Sequence, residues 1–210
     1  MEPFIRTDQY QFIKSQAYSI VNGHATANHQ GVLKAVKEMA REQVLRLAKW
    51  TDEQRRLLEP VYDIKDRGDA ELYAAAIKSY VIPFREVGEP EIKKLFPKAK
   101  KLKAPALDEV DLKEIIYLSW KDKGSDKMFL IAPYQGKLKG LHGTFNPLHK
   151  KSICTICGGH QEVGLFMTQV KGTAQGTFVK RGNYICSDSL QCSQHIKSLD
   201  RLEDFFGLMS

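Results

Sequence analysis

Cys154-Thr155-Ile156-Cys157-Gly158-Gly159 and Cys186-Ser187-Asp188-Ser189-Leu190-Gln191-Cys192 contain every cysteine of this 210-residue chain, and 28 residues lie between Cys157 and Cys186. A Cys-x-x-Cys pair followed by glycine sets two thiolates on one ion while the backbone turns tightly beneath them. The second pair, with five residues between its cysteines, is wider than the usual two to four. The alternatives are disulfides, unliganded buried thiols and a redox pair. Disulfides belong to exported chains, and Met1-Glu2-Pro3-Phe4 lacks a basic region ahead of an apolar stretch. A redox Cys-x-x-Cys opens a helix whose dipole lowers the thiol pKa, whereas Gly158-Gly159 and a strand-like run follow here. The spacing therefore predicts one structural Zn2+ held by Cys154, Cys157, Cys186 and Cys192.

Working outward, Val163 to Val170 and Thr177 to Ile185 read as two strands around a turn at Gly172 and Gly176, and Leu190, Ile196 and Leu199 read as one helix. A knuckle, a hairpin and a helix, with ligands on the first and last, make a treble-clef zinc finger at about residues 150–205. His160 and His195 lie near the cysteines, yet four thiolates already complete a tetrahedron. A closed site of that kind leaves no position for an activated water, which argues for structure rather than catalysis.

Further toward the N-terminus, Ile115 to Trp120, Lys127 to Ala132 and Lys137 to Phe145 read as strands, the first two joined at Lys123-Gly124-Ser125-Asp126. A short helix is expected from Pro90 to Phe96, stopped by Pro97. Before Pro83 the period changes. Ile5, Phe12, Ile13, Ala17, Ile20 and Val21 recur at helical spacing, as do Leu33, Val36, Ala40, Val44 and Leu47. Thr51-Asp52-Glu53-Gln54 is a capping box opening a third helix, and Gly68-Asp69 leads into a fourth that must end before Pro83. The expected fold class is α+β: a four-helix bundle over residues 1–82, then an α/β zinc-binding domain over 83–210.

Charge is unevenly spread. Residues 1–83 carry 12 Lys or Arg against 11 Asp or Glu, while residues 84–210 carry 20 against 14. Lys93, Lys94, Lys98, Lys100, Lys101 and Lys103 form the densest basic stretch, read either as a solvated face or as a contact for an acidic partner such as RNA. Apolar runs are far shorter than the ~20 residues a membrane span needs, so a cytoplasmic protein is expected. No phosphate loop, nucleophile elbow or His-Glu-x-x-His pair occurs, and His142 stands alone. We therefore expect no enzyme.

Several blocks carry a family resemblance. They are Gln9-Tyr10-Gln11-Phe12-Ile13-Lys14, Tyr80-Val81-Ile82-Pro83-Phe84, Leu95-Phe96, Lys100-Lys101-Leu102-Lys103, Asp111-Leu112-Lys113 with Trp120, Leu138-Lys139-Gly140-Leu141, the first cysteine pair and Leu165-Phe166-Met167. The most specific runs from Val179 through Arg181-Gly182-Asn183-Tyr184-Ile185-Cys186 to Ser189 and includes the wide cysteine gap. In these the chain resembles the fusidic-acid-resistance family of elongation factor G-binding zinc proteins. The resemblance implies a helical bundle followed by an α/β domain with a four-cysteine treble clef. It also implies binding to the C-terminal domains of elongation factor G, and promotion of the factor's release from ribosomes stalled by fusidic acid.

The family's contact positions fall on Arg181, Tyr184 and Phe205, with Arg181 standing where relatives have lysine, which keeps the charge and changes its geometry. Arg181-Gly182-Asn183 reads as a turn holding Arg181 and Tyr184 outward, and Tyr and Arg are frequent interface anchors. The structural alternatives are that Tyr184 packs on the zinc hairpin and that Phe205 covers the last helix's apolar face. The competing function is a basic zinc module that binds RNA or the ribosome directly through Lys93 to Lys103.

Overall fold

Capping residues set the helix ends in the first part of the chain. In the computed structural model, which describes every residue except Lys100, Lys101, Ala104, Ala106, Asp108, Glu109, Lys123, Asp126, Thr173 and Gln175, helix α1 spans Thr7–Thr26. The Arg6 N–H donates to Gln9 Oε1 at 2.9 Å. Helix α2 is Gln30–Arg46. Helix α3, Asp52–Leu58, has the expected capping box: Gln54 N–H donates to Thr51 Oγ1 at 3.3 Å and Thr51 N–H to Gln54 Oε1 at 2.9 Å. A 3-10 turn, Glu59–Asp63, leads to α4, Arg67–Lys78, where the Asp66 side chain accepts from Asp69 N–H. Ile13, Ala17, Ile20, Val44, Leu58, Val61 and Ile77 form a continuous core, and the buried Tyr73 hydroxyl donates to Leu58 O at 2.9 Å.

Ile5 departs from the expected helical phase. Arg6 is extended and caps α1, so Ile5 precedes the helix and forms a parallel bridge with Val81, with Ile82 N–H donating to Ile5 O at 2.8 Å. This pairing closes a compact unit of Met1–Ile82; Pro83–Ser210 is the second unit.

The second unit opens with α5, Glu89–Leu95, one residue earlier than the proline position suggests. Five antiparallel strands follow in sequence order: β1 Leu118–Lys121, β2 Lys127–Tyr134, β3 Lys137–Ile153, β4 His160–Lys171 and β5 Phe178–Cys186. Strand β3 is much longer than the sequence suggests. It pairs with β2 as far as Thr144 and with β4 from Thr144 to Ile153, its register shifting between Pro147 and Lys151. Pro147 lacks an N–H, and a bulge there bends the strand from one partner to the next. The expected β1–β2 turn includes Lys123 and Asp126, which lie outside the described residues, as do Lys100 and Lys101 of the basic stretch.

Alternation along the strands builds two layers on the sheet. Met128, Leu130, Leu141, Phe145, Phe166 and Ile185 face one side, where Ile196, Leu202, Phe205 and Phe206 cover them. Those residues come from two helices and their linker, α6 Ser189–His195 and α7 Asp200–Leu208, where a single helix was expected. Phe129, Ile131 and Leu118 face the other side, covered by Phe84, Ile92 and Phe96. This second layer does not include Leu165, Met167 or Tyr184, which lie on the same face farther along the sheet. Among the described residues no helix is long and apolar enough to cross a membrane.

Candidate metal centre

The turn after β3 is tied to itself before any ion is considered. Gly158 N–H donates to Cys154 O at 2.8 Å and Cys154 N–H to Gly159 O at 3.0 Å. Gly158 has φ +70°, a left-handed conformation that glycine adopts without strain. Gly159 N–H points to Cys157 Sγ at 3.4 Å, the N–H to sulfur arrangement that stabilises a thiolate. A fourth bond, from Thr155 N–H to Tyr184 O at 2.8 Å, fastens this turn to β5.

The wide second gap has a geometric reason. Cys186 ends β5, Asp188 caps α6 by accepting from Leu190 N–H at 2.8 Å, and Cys192 follows as the fourth residue of that helix. The last ligand thus sits one turn into the helix. All four sulfurs lie within 4.8 Å of one another, with Cys154 to Cys192 and Cys157 to Cys186 each 3.8 Å apart. A tetrahedron with Zn–S bonds of about 2.3 Å has sulfur-to-sulfur edges of roughly 3.8 Å, so the donor set fits zinc without rearrangement. Cys154, Cys186 and Cys192 are buried and Cys157 is half-buried.

Electrostatics point the same way. Hydrogen bonding with Cys157 draws the Cys154 thiol below its ordinary value, while hydrogen bonding with Cys154 pushes Cys186 and Cys192 above theirs. Thiolates this close repel one another, and a divalent cation is what allows all four to ionise together. His160 and His195 are exposed and outside the cluster, and His195 Nε2 lies 2.9 Å from Gln161 Nε2. His142 belongs to an aromatic group with Phe96 and Phe129, and its pKa is lowered by burial, Lys127 and Lys98.

Residues 4–85 match the family described as "Elongation factor G-binding protein, N-terminal", and residues 95–205 match "FBP C-terminal treble-clef zinc-finger". The chain belongs to this elongation factor G-binding family. Among solved structures it is similar to one titled "Structure of the fusidic acid resistance protein FusC". That match has a TM-score of 0.84 at 25% identity and covers 98% of this chain and 96% of the other. No curated protein matches. Family membership and the sulfur geometry agree: the C-terminal unit is a treble clef with one structural zinc ion, built from the knuckle at Cys154–Cys157, the β4–β5 hairpin and α6.

The three positions expected to meet a partner are not brought to one surface. Arg181-Gly182-Asn183 is not a turn: β5 continues through it, paired with Phe166, Met167 and Thr168. Arg181 and Tyr184, three residues apart on one strand, therefore project from opposite faces. The half-buried Arg181 donates through Nη1 to Leu208 O at the end of α7. Phe205 is 1% exposed, packed at 6.0 Å from the Phe166 ring and 5.9 Å from the Phe206 ring, and so presents no surface of its own. Tyr184 is 44% exposed. It pairs across the strands with Leu165, and a side chain added at Gly182 would come within 3.1 Å of Met167 Cγ and 3.4 Å of Leu165 Cδ1. Tyr184, Leu165 and Met167 thus share an apolar patch over Gly182. The patch was legible only as the block Leu165-Phe166-Met167, because its assembly depends on the β4–β5 register.

Proposed function

We infer that this protein binds elongation factor G through the outer face of the β4–β5 hairpin, with Tyr184 as the anchor, and that binding promotes release of the factor from ribosomes stalled by fusidic acid. The reading rests on the placement of Tyr184. Its side chain is exposed beside Leu165 and Met167, its carbonyl is held by Thr155 N–H, and the third cysteine follows two residues later. A tyrosine fixed in this way loses little conformational entropy on binding, and aromatic anchors next to apolar neighbours dominate many interfaces. Family membership supplies the partner, and the resemblance supplies the C-terminal domains of the factor as its surface.

In this reading Phe205 supports α7 from beneath and Arg181 ties that helix to β5, so both act on the shape of the domain. The zinc is closed by four sulfurs and keeps no coordination position for a substrate, which suits a binding protein. Direct RNA binding through Lys93, Lys94, Lys98 and Lys103 is the rival reading, and salt separates the two.

Calorimetric titration of the zinc-loaded protein into elongation factor G, at low and moderately high salt, tests the proposal. Saturable one-to-one binding that survives salt supports it. Loss of binding at high salt, or binding that persists undiminished in Tyr184→Ala, refutes it, because phosphate contacts release counterions and fade steeply with ionic strength.

A further inference from the structure

A buried phenol stands beside the zinc site without an assigned role. Tyr117 is 0% exposed, just ahead of β1, and belongs to the same cluster as Cys154, Cys186 and Cys192. Two hydrogen bonds fix its backbone along α6. Ile116 N–H donates to Ser193 Oγ and Ser119 N–H to Ser189 Oγ, each at 3.0 Å. Ser189 and Ser193 are one helical turn apart, and Cys192 lies on the same stretch of helix, so Tyr117 is clamped between two pegs opposite the fourth cysteine.

The Tyr117 hydroxyl has no hydrogen-bond partner among the described residues. Burial pushes its pKa well above the ordinary phenol value, and the Cys192, Cys154 and Cys186 sulfurs raise it further. A buried hydroxyl without a partner is costly, and a phenol at neutral pH has one proton to donate. The nearby group most in need of a donor is the zinc quartet: four thiolates on a divalent ion leave a formal double negative charge in the core. Gly159 N–H is one donor to it, reaching Cys157. Cys157 is the half-buried ligand, whereas Cys192 is fully buried and beyond the reach of solvent.

We propose that Tyr117 is a positioning residue of the zinc site, its hydroxyl donating a hydrogen bond to the Cys192 sulfur and thereby strengthening the hold on the metal. The hydroxyl withdraws electron density from a buried thiolate, lowers the repulsion among the four ligands and fixes α6 at the distance the tetrahedron needs. Removing such an outer partner typically costs about tenfold or more in metal affinity.

Tyr117→Phe deletes the hydroxyl and keeps the ring. The expected result is that zinc passes to a competing chelator about tenfold more readily, and that the thiolate-to-metal charge-transfer band of the cobalt-substituted protein moves to lower energy. Tyr73→Phe, the same deletion in the helical unit, leaves both readouts unchanged. If the hydroxyl is merely unpaired, the opposite follows: Tyr117→Phe melts at the same or a higher temperature, competes for zinc within twofold of the parent, and shows an unshifted cobalt band. That outcome overturns the proposal. Should Tyr117→Phe fail to fold, 3-fluorotyrosine placed at position 117 is a stronger donor, and the cobalt band must then move to higher energy; an unmoved band overturns the proposal equally.

Discussion

Phe205 and Tyr184 are both aromatic residues of the C-terminal unit at expected contact positions, and truncating each separates packing from recognition. Phe205 is 1% exposed against Phe166 and Phe206, so Phe205→Ala opens a cavity in the layer that covers the sheet. Full deletion of a buried Phe side chain costs about 4 kcal/mol. For a unit of this size each kcal/mol moves the melting temperature by roughly 4 °C, so a fall of about 15 °C is expected. Tyr184 is 44% exposed, and Tyr184→Ala should lower stability by less than ~1 kcal/mol. Its cost appears in binding: about 2 kcal/mol, or a roughly thirtyfold weaker dissociation constant for elongation factor G. The assay is differential scanning calorimetry of both zinc-loaded variants, followed by titration with the factor well below the lower transition. A Phe205→Ala protein that melts within about 3 °C of the parent yet no longer binds would falsify the assignment of Phe205 to the core and return it to the interface.

Other variants address separate elements. Cys157→Ser should lose the metal and unfold the C-terminal unit while the helical signal of Met1–Ile82 persists; an unchanged melting profile counts against the zinc assignment. Gly158→Ala forces a side chain into φ +70°, where its Cβ also comes within 2.9 Å of Arg201 Nη1. The arginine end can move, so the loss of about 1 kcal/mol in denaturant titration should persist in the Gly158→Ala, Arg201→Ala double variant, and full rescue there means that the clash and not the backbone sets the cost. Tyr73→Phe removes the buried bond to Leu58 O and should lower stability of the helical unit by about 1–2 kcal/mol, with no effect on zinc content; a neutral result shows that water replaces the hydroxyl.

Local signals were readable wherever the deciding partner lay within a few residues. The Thr51 and Gln54 box, the tight knuckle over Gly158 and the continuous burial of Met128 to Ala132 in β2 each follow from neighbours in sequence. Distant pairing was not readable. Arg181-Gly182-Asn183 has the composition of a turn, but ladder bonds to Phe166, Met167 and Thr168 hold it as strand, and this moves Arg181 and Tyr184 to opposite faces. Pro147 signals an end to β3, yet a bulge accommodates it because a second strand waits beyond. The apolar run Leu190, Ile196 and Leu199 suggests one helix; Ile196 is extended and Ser198 Oγ accepts from Asp200 N–H, so the chain breaks and α7 starts afresh over the sheet. Ile5 looks helical by spacing, but Arg6 and Gln9 close the helix behind it.

The uncovered end of the sheet also accounts for the location of the metal. Over β1 to β3 both faces are packed, one by α6 and α7 and the other by the layer around Ile92 and Phe96. Among the described residues the second layer does not extend over β4 and β5: Tyr184 is exposed, and Leu165 and Met167 are only half-buried. A two-stranded hairpin covered on one side is marginal by itself. The zinc sits at the end of that hairpin, linking β5 to the knuckle and to α6, and structural zinc sites contribute on the order of 10 kcal/mol of folding free energy in small fingers. The ion replaces the stabilisation that a covering layer would supply and leaves the face open. On this argument any substitution that weakens zinc binding also weakens partner binding, although Tyr184 is not itself a ligand.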